Sequence, residues 1–157
     1  MAKEIERKFL VTDESYKSMA TEIRTMMQAY LSTRPEATVR VRIADGCGFL
    51  TVKSKNRGAE RDEWEYPVPA ADAEAMARLA PSTVIEKRRH IVPYGGLTWE
   101  VDEFIGRLAG LTVAEVELPS ADVVVKLPPF VGREVTGDPA YYNSNLAGGQ
   151  GLWRSRL

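Results

Sequence analysis

The chain has 157 residues, 44% hydrophobic and 27% charged, and its 21 basic and 22 acidic residues leave a formal net charge of −1. That length suits a single domain, 1–157, with a sizeable core, and the composition is that of an ordinary globular protein. The even charge balance excludes a general basic nucleic-acid binder, so any basic patch is local and no nucleic-acid partner is expected.

The opening E-I-E-R-K-F-L-V alternates charged and apolar side chains and predicts a strand over 4–11, because alternate residues of a strand share a face. T-D-E-S at 12–15 then begins a short helix capped by Thr12 or Asp13. A second strand covers 23–32 and breaks at T-R-P-E, where Pro35 cannot donate to a ladder. V-R-V-R-I at 39–43 and F-L-T-V-K-S-K at 49–55 form a hairpin around D-G-C-G. Cys47 reads as an incidental residue of that turn rather than a reactive thiol, and as the only cysteine it permits no intramolecular disulfide.

R-D-E-W-E-Y-P-V at 61–68 is a further strand, and A-D-A-E-A-M-A-R-L at 71–79 is a helix, rich in alanine with apolar residues at helical spacing and ended by Pro81. T-V-I-E-K-R-R-H-I-V and T-W-E-V-D-E-F pair across a loop containing Y-G-G-L, and L-T-V-A-E-V-E-L at 111–118 supplies an eighth strand. The remainder, with Pro119, Pro128, Pro129, Pro139 and glycines at 148–151, reads as short helix and loop. Within it, 120–127 sets a helix cap, S-A-D, against a strand-favouring V-V-V, and the cap decides for helix. No apolar run approaches the ~18 residues of a membrane span and no signal-peptide core opens the chain. The expectation is a reduced, cytoplasmic protein with no membrane contact.

The charges recur on one face of strand after strand. Glu4, Glu6 and Lys8 share a face, as do Arg40 and Arg42, Thr51 and Lys53, Glu63 and Glu65, Lys87 and Arg89, Glu100 and Asp102, and Glu115 and Glu117. For one strand alone, such a face is ordinarily the solvent side of an antiparallel sheet. Here each face is nearly uniform in sign or chemistry, whereas solvated faces mix in Ser, Thr, Gln and Asn. Eight antiparallel strands also suit a closed or nearly closed barrel. Charges pointing inward would be intolerable if dry and unpaired, but they suit a wet tunnel with an ion-rich ligand. Carboxylates hold Mg²⁺ or Mn²⁺, Arg and Lys hold phosphate oxygens, and a site with both fits a metal–polyphosphate complex.

In this order the segments resemble the CYTH superfamily, the triphosphate tunnel metalloenzymes. E-I-E-R-K-F-L-V is similar to its E-x-E-x-K signature, followed by V-R-V-R-I, T-V-K-S-K, E-W-E-Y-P-V, I-E-K-R-R, W-E-V-D-E-F, L-T-V-A-E-V-E-L and G-R-E-V-T-G-D-P-A-Y-Y-N-S-N-L-A. E-x-E-x-K alone is a weak motif; the ordered set, closed by Glu115 and Glu117, is specific and spans most of the chain. The resemblance implies a mainly β (α+β) fold, an eight-stranded antiparallel closed β-barrel with a charged tunnel and short helices packed outside. Compact bacterial members that open this way are similar to inorganic triphosphatases, which implies hydrolysis of tripolyphosphate to pyrophosphate and phosphate with Mg²⁺ or Mn²⁺.

Carried over position by position, the resemblance makes Glu4, Glu6, Glu115 and Glu117 the metal carboxylates. Lys8, Arg40, Arg42, Lys53, Lys87 and Arg89 would grip the phosphate chain. Lys8 and Lys87 would join Glu63, Glu65 and Asp102 as the catalytic set, the three acids serving a second metal or the attacking water, with Glu100 beside Asp102. A thiamine triphosphatase, a nucleoside triphosphatase or a class IV adenylyl cyclase of the same family stays open. These need a pocket for a base or thiazolium, and Trp64 and Trp99 fall on outward faces. A non-catalytic polyphosphate-binding module is the other class, disfavoured by so many carboxylates.

Several residues lie outside that set. His90 is expected on the outer surface without a role, and Glu86, Arg88 and His90 together predict a solvated outer face. Lys55 and Arg61 either extend the basic rim or face water, and L-W-R-S-R-L reads as a frayed tail. Outward Trp99 and Val101 leave open either a homodimer or burial under helices.

Overall fold

Two tight turns set the hairpins. Asp45 and Gly46 join one pair of strands and Gly95 and Gly96 another, all four with positive φ, the conformation that matches the twist of a two-residue hairpin loop. The computed structural model describes residues 2–148, so the tail L-W-R-S-R-L and most of the glycine cluster lie outside the described residues. The strands are β1 (Ala2–Val11), β2 (Glu22–Arg34), β3 (Ala37–Ala44), β4 (Cys47–Ser54), β5 (Glu60–Val68), β6 (Val84–Tyr94), β7 (Leu97–Ile105), β8 (Thr112–Glu117) and β9 (Val131–Glu134). The helices are α1 (Tyr16–Met19), α2 (Ala70–Ala77) and α3 (Asn143–Ala147).

Eight strands in the order β5-β4-β3-β2-β6-β7-β8-β1 close into a barrel through β1–β5 pairing, and every pairing is antiparallel. The seam is shared along β1. Its first half pairs with β5, its second half with β9, and β8 runs along the other edge. β9 thus covers the stretch of β1 that β5 leaves bare.

Three apolar clusters hold the barrel, and they explain which face turned inward. Phe9, Trp99, Val101, Val116 and Leu118 point out of β1, β7 and the β8 end and pack under Tyr16 of α1 and Phe130. On the opposite side Ala77 of α2 packs on Ala29 and Val41. The third cluster lies within the barrel: Ile85, Phe104 and Val113 meet Tyr141, Leu146 and Ala147 at one end. With the apolar outer faces of β1, β7 and β8 and parts of β2 and β3 covered, the charged faces are left the interior. That interior is charged in one half and plugged by the C-terminal segment in the other. Among the described residues no helix is long and apolar enough to cross a membrane.

The eight expected strands form, and four local expectations are corrected. The proline-broken remainder holds a ninth strand, β9, because β1 presents an unfilled edge there. Residues 120–127 are not helical; Val123 and Val125 pack on the outer cluster while Val124 is 94% exposed, the alternation of extended chain. The first helix begins at Tyr16 with Ser15 at its N-cap and no side-chain cap; Asp13 instead accepts from the Ser15 backbone at 2.8 Å. His90 faces outward but is buried, its ring edge-on to Tyr16 at 5.0 Å and its Nε2 3.3 Å from Glu103, because α1 covers this end of β6. Glu86 and Arg88 on the same face are exposed. Trp99 and Val101 are buried by the chain itself.

Candidate active site

The open half of the barrel encloses a polar cavity of about 210 Å³. Strand register builds its wall in rows. Arg40, Thr51 and Glu65 stand directly opposite one another across β3, β4 and β5, as do Thr38, Lys53 and Glu63. On the facing wall Lys8, Glu115 and Glu100 form a row across β1, β8 and β7, and Glu6 opposes Glu117. All of these, with Glu4, Arg42 and Arg89, line the cavity.

Most of the charges are already paired. Lys53 lies 3.1 Å from Glu4 and 3.2 Å from Glu63, and Arg61 lies 3.1 Å from Glu4. Lys8 is 3.4 Å from Glu115 and donates to the Tyr141 carbonyl of the plug at 2.9 Å. Arg40 is 3.6 Å from Glu65, and Thr51 joins them, accepting from Arg40 at 3.2 Å and donating to Glu65 at 2.8 Å. Arg89 grips Asp102 through two nitrogens at 2.8 and 2.9 Å and reaches Glu100 at 3.2 Å. Three groups stand apart: among the described residues Glu6 and Glu117 have no cation partner and Arg42 has no carboxylate.

Lys87 and Asp102 do not line the cavity. Both are fully buried and 2.6 Å apart, one step deeper along β6 and β7, with the Lys87 ammonium 5.6 Å from the ring of Phe104, which packs under the plug. Burial presses Lys87 down to about 7 despite Asp102. Burial would raise Asp102, but Arg89 and Lys87 hold it at about 2.

The acids divide in the same way. Burial would raise Glu4 and Glu115, but Lys53 holds the first and Lys8 the second well below the usual carboxylate range. Glu6 goes the other way: burial and the carboxylates of Glu115 and Glu4 push it up to about 8. Glu63 rises to about 7 through burial and its hydrogen bond with Glu4, and Glu117 is raised by burial, Glu4 and Glu100.

A closed barrel with this ordered inner wall has a counterpart among known families: the CYTH domain profile matches residues 2–142. The chain belongs to the CYTH family. It is similar to an inorganic triphosphatase of Acetivibrio thermocellus, 47% identical over 147 residues that cover 93% of this chain and 94% of the relative. It is also similar to an inorganic triphosphatase of Nitrosomonas europaea, 34% identical over 149 residues, 92% of this chain and 96% of that one. The crystal structure of an inorganic triphosphatase, 32% identical, superposes with a TM-score of 0.67 over 94% of this chain and 96% of its own.

The donor set of this CYTH barrel fits a hard divalent cation. Glu6 and Glu117 stand opposite each other in register and are raised by burial and by the neighbouring carboxylates Glu4, Glu115 and Glu100, a crowding of negative charge that a metal would relieve, and carboxylate oxygens are the ligands such ions take. Among the described residues no three acids, histidines or cysteines already form a cage. That suits an ion whose coordination shell is completed only when water and further oxygen ligands join the protein's carboxylates.

The CYTH cavity also contains residues outside the expected set. Arg61 is inside, paired with Glu4, whereas Lys55 is exposed. Thr38 and Thr51 share their strands' charged faces, and Tyr30, Tyr142, Asn143 and Ser144 contribute from β2 and the C-terminal segment. Alternation already places Thr51 on the charged face of β4, and that of β3 could have found Thr38; nothing in the strand alternation marks Asn143 or Ser144.

Proposed function

We propose that the protein hydrolyses inorganic triphosphate to pyrophosphate and phosphate, using a divalent metal, Mg²⁺ or Mn²⁺. The relatives that share its family and most of its length support this reading. The observation that carries it is the imbalance in the cavity: among the described residues, two carboxylates without a cation partner and one guanidinium without an acid face the same space. A metal–triphosphate complex complements both.

In this reading Glu4, Glu6, Glu115 and Glu117 would hold the metal, which when bound would supply positive charge against the phosphate chain. Lys8, Arg40, Arg42, Lys53 and Arg89 grip the phosphate chain, and Glu63 and Glu65 complete the wall where water approaches. Asp102 and Lys87, sealed from the cavity, act through Arg89, whose guanidinium Asp102 holds in place. Little covalent help is needed, because phosphoryl transfer is catalysed mainly by positioning and charge stabilisation. The reading includes a single domain over 1–157 and a cytoplasmic location, where a free, exposed Cys47 would stay reduced.

Phosphate release from tripolyphosphate, ATP and thiamine triphosphate, each with Mg²⁺ and with Mn²⁺, tests the proposal on purified protein. Tripolyphosphate should be preferred. A preference for ATP, formation of cyclic AMP, or binding of tripolyphosphate without metal-dependent release would each replace this reading.

A further inference from the structure

Gln28 is fully buried on β2, directly opposite Arg42 on β3 and Ile85 on β6. It lies where the charged half of the barrel meets the plug, against which Ile85 packs. An amide buried there is costly unless its polar atoms are engaged, and only one of them is. Its Oε1 accepts from Arg42 Nε at 3.1 Å, while Nε2 has no partner among the described residues. The orientation is fixed by chemistry, since Arg42 Nε only donates and the amide must offer its oxygen.

Arg42 differs from the other guanidiniums around it. Arg40 has Glu65, Arg61 has Glu4 and Arg89 has Asp102. Arg42 has the Gln28 amide instead, and burial together with Arg40 and Arg89 lowers it to about 9, the direction expected of a cation without a counter-charge. A guanidinium tethered through Nε keeps its two terminal nitrogens for a planar, bidentate contact with phosphate.

We propose that Gln28 is a positioning residue for the substrate: its neutral amide oxygen locks the Arg42 guanidinium toward the cavity while leaving its positive charge uncancelled for a phosphate group. This rests on the cavity being a triphosphate site. Two near-isosteric changes separate the two halves of the idea. Gln28→Met keeps the volume and releases the guanidinium; Gln28→Glu keeps the acceptor and cancels the charge.

The test measures tripolyphosphate binding to the metal-free protein by calorimetry, kcat and KM with metal, and the thermal midpoint, for wild type and both variants. With folding retained, each variant should bind tripolyphosphate about ten-fold more weakly or worse, the order expected for losing a charge-assisted contact. KM should rise in step while kcat stays within about three-fold, as for loss of uniform binding. Wild-type affinity in Q28M overturns the positioning role. Wild-type affinity in Q28E shows that only the hydrogen bond matters, and overturns the charge argument. If Q28M does not fold, Gln28→Asn, too short to reach Nε, takes its place with the same expected loss. Adding Gln28→Met to Arg42→Met, which has no guanidinium left to tether, should cost nothing further; an undiminished loss in that background also overturns the proposal. Wild type that neither binds nor turns over tripolyphosphate defeats the functional reading itself, an outcome distinct from variants that match an active wild type.

Discussion

Glu6 shows how the site's chemistry should appear in the protein's stability. Its ordinary pKa of 4.5 is pushed to about 8 by burial, Glu115 and Glu4. Between those values the folded chain holds a proton that the unfolded chain has released, so stability falls as pH rises through the interval. Glu63, raised to about 7, contributes with the same sign. Glu4, Glu115 and Asp102 are depressed, so their contribution is lost only as pH falls below about 4. Lys87, lowered to about 7, favours the folded state with rising pH only above that value. In the window from about pH 5 to 7, metal-free protein should therefore lose stability with rising pH, by at most about 1.4 kcal/mol per pH unit for each such acid. Urea unfolding with a chelator present measures the slope. Glu6→Gln should flatten it and reduce the stabilisation that Mg²⁺ gives at pH 7; an equally steep slope in the variant would remove Glu6 as its source. The inward position of Glu6 was legible because a strand's period is two and its neighbours Ile5 and Arg7 fall on the other face. Arg61 was not, since E-R-D-E in β5 puts charge on both faces. Gln28 and Tyr30 were hidden in M-M-Q-A-Y, where both faces are largely apolar. Lys87 and Asp102 look like Arg89 and Glu100 in sequence, and only the depth of the plug separates a sealed pair from a cavity-lining one.

The C-terminal plug is the element that turns a barrel into a blind cup. Leu146 of α3 is 2% exposed and packs inside the barrel with Phe104, Leu111 and Val113. Arg107 ties α3 down by donating to the carbonyls of Leu146, Ala147 and Val84. Leu146→Ala should cost about 2–5 kcal/mol, the range for emptying a buried leucine site. Leu79→Ala, at a position 78% exposed just beyond α2, should stay within about 0.5 kcal/mol. Urea unfolding of the two variants beside wild type makes the comparison, and equal costs would mean that the plug is not packed as described. Strand existence was legible from alternation, but this region was not. Four residues, V-G-R-E, are too few to show a period, and β9 exists because β1 needs an edge partner. The V-V-V stretch behaves as its β-branched residues prefer, while Ser120 bonds to Asp122 in a local turn rather than capping a helix.

At the scale of the whole molecule, the fold and the site rest on largely different residues. Two of the apolar clusters lie outside the barrel wall and the third fills its closed end, sharing Tyr30 and Val135 with the lining of the open half, so most of the core is independent of what occupies it. Within that half most cations already face carboxylates, and burial without a metal is tolerable because the charges are paired and hydrogen-bonded. This differs from a small metal-organised domain, in which binding free energy is folding free energy. Removing divalent metal should therefore stop the reaction and spare the barrel. With excess EDTA, the β-sheet circular dichroism spectrum and a cooperative unfolding transition should persist while phosphate release from tripolyphosphate falls to background. Added Mg²⁺ or Mn²⁺ should restore release and, by mass action on the folded state alone, raise the unfolding midpoint with metal concentration. Collapse of the spectrum on chelation would make the metal a structural part of the fold. Turnover that survives exhaustive chelation would instead place the chemistry on the cavity's lysines and arginines, and would detach Glu4, Glu6, Glu115 and Glu117 from the role proposed for them.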